Sequence, residues 1–93
     1  MNKLPFGLSL YQGKTIVGTF LIKPLRIHND QQSVLITDLI VNSALDLEYP
    51  EYKKGLLQTV SLLESLGFEV IVDTDDLFEN RHFATAKSLN DEK

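Results

Sequence analysis

Cysteine is absent from this 93-residue chain, which excludes disulfides, thiolate zinc sites and cysteine nucleophiles. Long apolar runs are absent as well. None approaches the roughly 20 residues that a membrane-crossing helix needs, so no membrane span is expected. Basic residues are scarce: 9 Lys and Arg stand against 13 Asp and Glu. The resulting net charge of −4 removes the dense cationic surface on which nonspecific nucleic-acid binding rests. No G-x-S-x-G surrounds any serine, so the nucleophile elbow of a serine hydrolase is missing. The opening stretch MNKLPFGLSLYQGK has too short and interrupted an apolar segment for a signal peptide, and a cytoplasmic location is expected.

What is present describes a folded domain. The 43% hydrophobic content suits one small globular unit spanning residues 1–93, below the size at which chains divide. FGLSLY at 6–11 alternates with period two, placing Phe6, Leu8 and Leu10 on one face of a strand. A Gln12-Gly13 turn leads to a second strand over 15–22, where Gly18 predicts a bulge or a close backbone approach. Pro24, without an N–H, is expected to end pairing, and 26–33 reads as a polar connection around Asn29-Asp30. The third strand, 34–41, is apolar almost throughout, as a central strand covered on both faces should be.

A helix is predicted over about 50–66. Pro50 suits its first position, where a missing N–H costs nothing, and Glu51 suits the positive end of its dipole. Tyr52, Leu56, Val60, Leu63 and Leu66 form an apolar stripe that Leu57 and Leu62 widen, and Gly67 supplies a left-handed terminus. A short strand follows at 70–72. A right-handed crossover sets it parallel to the third. A weaker helix at 77–89 and a polar tail complete the chain. The fold class is therefore α/β (α+β): an antiparallel β-meander followed by a βαβ unit, a mixed sheet packed with helices.

Chemistry-bearing residues are sparse. Asp73, Asp75, Asp76 and Glu79 follow the last strand; hard oxygen ligands suit Mg²⁺ or Ca²⁺, but Asp before a helix is also an ordinary cap. No metal is assigned. His28 and His82 are the only imidazoles, and Asp38 is the one acid within an apolar strand. A histidine with a carboxylate partner can act as a general base, although no spacing links these residues. Lys53-Lys54-Gly55 near the helix start combines free backbone N–H groups with two cations that suit phosphate. Gly55 inside a helix costs up to about 1 kcal/mol relative to Ala, which suggests a close approach to the sheet or to a ligand.

Several of these segments together resemble the central part of the GNAT superfamily of acyl-CoA-dependent N-acyltransferases. They are Gly18-Thr-Phe20, Ile36-Thr-Asp-Leu-Ile-Val41, Gly55-Leu-Leu-Gln58, and Leu66-Gly-Phe68 before Val70-Ile-Val72. Asn80 with Phe83 and Ala84 looks like the start of the family's next helix. The resemblance covers about two-thirds of the chain, from Gly18 to Phe83. It implies that acetyl-CoA or CoA is the cofactor, with backbone groups of Leu39, Ile40 and Val41 facing the pantetheine arm. It also implies a pyrophosphate held around Tyr52, Lys53, Lys54 and Gly55, and a role for Asn80. No catalytic residue is assigned.

Two functions follow. One is an acyl-CoA-dependent N-acetyltransferase or acyl-CoA binder. The other is a catalytically inactive GNAT-like structural or protein-interaction module. The family's pyrophosphate loop reads [QR]-x-x-G-x-[GA], whereas this chain has LEYPEYKKG, with Glu48 and Glu51 repelling a diphosphate. No tyrosine follows Asn80 to act as a general acid. Ninety-three residues hold only part of the family's sheet, and an unpaired edge predicts a homodimer or a partner protein.

Overall fold

The computed structural model describes residues 5–45 and 49–84. They form a mixed α+β fold in the order β1 (Phe6–Gln12), β2 (Thr15–His28), β3 (Gln31–Asn42), α1 (Tyr49–Ser65), β4 (Glu69–Ile71), α2 (Thr74–Glu79) and β5 (His82–Ala84). The open, mostly antiparallel sheet runs β1-β2-β3-β4, with β5 also paired to β3. β1, β2 and β3 make the meander. β4 and β5 both run parallel to β3 on its far side, the first at Ser33–Leu35 and the second at Ile40–Asn42. Between those short ladders sits α2, whose Leu77 and Phe78 are buried in the core.

The meander differs from expectation in the place of its first turn and in the length of the strands around its second. The first loop is Gly13-Lys14 rather than Gln12-Gly13: Gln12 pairs with Thr15, and Gly13 alone takes positive φ (64°), the arrangement in which glycine leads a two-residue hairpin. The second turn is Asn29-Asp30, with φ of 52° and 64°, a pattern these two residues tolerate better than most. Most of 26–33 is strand, because Pro24 does not stop the ladder. It pairs with Val34, and a register shift between Pro24 and Ile27 absorbs the missing donor.

One core lies between the sheet and α1. Phe20, Ile22, Val34, Ile36, Leu39 and Val41 project from β2 and β3 onto Tyr52, Leu56 and Leu63. A narrower stripe is the one that packs; Leu57 and Leu62, expected to widen it, and Leu66, expected within it, are exposed. α1 ends as its sequence predicts. Gly67 has φ of 95°, its N–H donates to the Glu64 carbonyl at 3.0 Å, and the Phe68 N–H donates to the Leu63 carbonyl at 3.1 Å.

The second helix is the main correction. It spans Thr74–Glu79, started by Asp73, whose Oδ1 accepts from the Asp76 N–H at 3.1 Å. Residues 82–84 extend into β5 because a free stretch of β3 edge lies within reach and satisfies their backbone groups. The rest of the expected helix (85–89), the tail (90–93) and Glu48 lie outside the described residues. Among the described residues, no helix is long and apolar enough to cross a membrane.

Candidate functional site

The residues assigned to a pantetheine arm sit at the C-terminal half of β3. Alternation turns the Leu39 and Val41 side chains into the core, while Ile40 is half-buried on the other face. On one side Ile40 and Val41 pair with Thr19 and Gly18 of β2. On the other, Ile40, Val41 and Asn42 pair with His82, Phe83 and Ala84, and the Ser43 N–H donates to the Ala84 carbonyl at 2.7 Å. Both edges of β3 are thus occupied by the chain itself at Ile40 and Val41. Gly18 permits the tight β2–β3 approach: a Cβ there would lie 2.9 Å from the Ile40 carbonyl oxygen.

The α1 start separates the residues grouped by sequence. Tyr52 is buried in the core, whereas Lys53 and Lys54 are exposed. Gly55 is buried against β1, where a Cβ would collide with Cδ1 of Leu10 and lie 3.2 Å from its Cδ2. Its close approach is therefore to the sheet. A groove of about 320 Å³ runs between β1 and this part of α1, lined in part by Leu10, Tyr11, Gln12, Lys54 and Gln58. Asn80 is distant in role from these groups: its Nδ2 donates to the Asp76 carbonyl at 3.1 Å and to Asp76 Oδ1 at 2.8 Å, closing α2 instead of opening a helix.

Pairing β5 with β3 brings together two residues that no sequence spacing connects. His82 Nε2 lies 3.2 Å from Asp38 Oδ1. Their side chains remain 62% and 39% exposed, so water competes for both groups and the pair is a surface one. His82 belongs to β5, not to a helix, and His28 is exposed at the end of β2. Among the acidic residues near α2, Asp73 is an N-cap and Asp76 binds Asn80; no group of three possible metal ligands forms among the described residues.

Asn42 is the polar residue that sequence reading overlooked. It is buried, with Nδ2 donating to the Ile16 carbonyl at 2.8 Å and Oδ1 accepting from the Ala44 N–H at 2.9 Å. An asparagine ending an apolar strand was the available signal. On the far ladder, Ser33 Oγ donates to Glu69 Oε1 at 2.7 Å, joining β3 to β4. Compared with protein families, curated proteins and solved structures, the chain matches none.

Proposed function

We propose that this chain is a GNAT-like interaction module that works by binding another protein chain rather than by transferring an acyl group. The observation carrying this reading is the β5 ladder: the backbone of Ile40, Val41 and Asn42 is engaged by His82, Phe83 and Ala84. A ligand seeking the same amides and carbonyls must displace a strand. Further support comes from Tyr52, whose ring belongs to the core, from Gly55, whose space is taken by Leu10, and from Asn80, which binds Asp76. The Asp38–His82 pair lacks the desolvated surroundings that tune a catalytic acid or base.

The acyl-CoA reading, with N-acetyl transfer as its reaction, keeps one specific support. Lys53 and Lys54 are exposed in the early turns of α1, and Lys54 lines the groove. Calorimetric titration with acetyl-CoA, with amide NMR shifts as a second readout, tests the two. The expected result is no saturable heat and no localised shifts at millimolar ligand. Saturable binding that Lys53→Glu with Lys54→Glu abolishes would overturn the non-catalytic reading.

A further inference from the structure

We propose that the outer edge of β1 is a homodimer interface, in which two copies pair antiparallel about a twofold axis at Ser9 and form one continuous sheet. This rests on the interaction-module reading and names the partner as a second copy of the chain. β1 contains seven residues, FGLSLYQ, and among the described residues its ladder partner is β2, on one side. None of the seven is charged and none is proline. Proteins ordinarily guard such edges with lysine, proline or very short strands. Among the described residues, the other outer strands are only three residues long, with the charged Glu69 in β4 and Arg81 next to β5. With a net charge of −4 on each copy, β1 is the edge where two copies meet without opposing like charges.

Residue order selects the register. Gln12 and Thr15 flank a two-residue loop and therefore form a hydrogen-bonded pair. Alternation from Gln12 leaves the N–H and C=O groups of Tyr11, Ser9 and Gly7 aimed at the outer edge. The register shift near Leu10 skips Val17, so the extra residue lies in β2 and does not interrupt β1. Pairing about Ser9 sets Leu8 against the second copy's Leu10, extending the face that already packs on the core. It sets Tyr11, 61% exposed, over the second copy's Gly7, an aromatic ring covering a bare stretch of edge backbone. Phe6, 37% exposed, then falls beside the second copy's Gln12, which lines the groove between β1 and α1.

The absence of cysteine makes the test clean. Ser9→Cys places a single thiol on the axis, where paired Cα atoms about 5.5 Å apart lie within disulfide range. Mild oxidation should link it into a dimer, whereas Thr19→Cys, one strand inward on the same face, should stay unlinked. Sedimentation equilibrium at high-micromolar concentration should show a wild-type dimer. Ser9→Lys, which opposes two ammonium groups at the axis, should raise its dissociation constant by about ten-fold or more with an unchanged circular dichroism spectrum. If Ser9→Lys loses its fold, the cysteine pair decides. A monomeric wild type, linking of Thr19→Cys as fast as Ser9→Cys, or a dimer indifferent to a folded Ser9→Lys overturns the proposal. Acetyl-CoA titration of the same samples separates the two readings. A dimer that binds acetyl-CoA overturns the non-catalytic reading and leaves the interface; a monomer that ignores it does the reverse.

Discussion

Two glycines with tight surroundings differ in mutational cost because of what stands opposite them. At Gly18 the neighbour is the Ile40 carbonyl, which would lie 2.9 Å from an added methyl and is held by the sheet. Gly18→Ala should therefore destabilise by about 1–3 kcal/mol, the usual cost of overpacking, in urea unfolding. At Gly55 the obstacle is the end of the Leu10 side chain, which can turn aside. Gly55→Ala should lie within about 1 kcal/mol of wild type, since the helix gain offsets the displacement. In a Leu10→Ala background the same substitution should become stabilising by about 1 kcal/mol. Asn42→Ala removes one partner from each of two backbone groups, the Ile16 carbonyl and the Ala44 N–H. A loss of about 1–3 kcal/mol is expected from the same measurement. Gly18 as a place of close approach was legible in sequence because glycine inside a β-branched strand has few other reasons to be there. Asn42 was not, since its two partners are chosen by sheet pairing and by the turn after β3.

Among the elements, α1 is held by local rules and β5 by a distant one. Gly67 has φ of 95°, so Gly67→Ala should cost about 1–2 kcal/mol in thermal or urea unfolding. Both the helix and its terminus could be read from residues 50–68, because capping and helical spacing act within a few positions. β5 could not. Its three residues gain their hydrogen bonds from β3, some forty positions earlier, and the contact of His82 with Asp38 spans a similar separation. Hydrogen exchange should therefore show Phe83 and Ala84 opening well before the β2–β3 ladder, by sub-global unfolding of the short strand. Asp38→Asn should change stability by less than about 1 kcal/mol, as exposed pairs do.

For the whole molecule, the core between sheet and α1 supplies the principal hydrophobic term. Phe20 and Leu39 are fully buried at its centre. Truncating Phe20 to Ala should cost about 3–5 kcal/mol and Leu39 to Ala about 2–5, enough to unfold a domain of marginal stability. Ligand linkage offers an independent check on function. A bound ligand present at 100 times its Kd raises stability by about 2.7 kcal/mol, so a binder would show a clear rise in Tm with acetyl-CoA. The expected Tm is unchanged by acetyl-CoA and rises with protein concentration, the signature of self-association.

By itself, the sequence determined the meander, the α1 helix with its glycine terminus, and the parallel return of the strand after it. These depend on residue periodicity, on glycine and proline geometry, and on the handedness of crossovers, all of which act locally or through a single chiral rule. Tertiary structure alone decided that Pro24 stays in the ladder, that residues 82–84 extend, and that Leu57, Leu62 and Leu66 remain outside the core. It likewise set Gly55 against Leu10 and Asn80 against Asp76. The reason is the same in each case. A residue's local preference is worth tenths of a kcal/mol to about 1 kcal/mol, and pairing or burial against a distant segment is worth more.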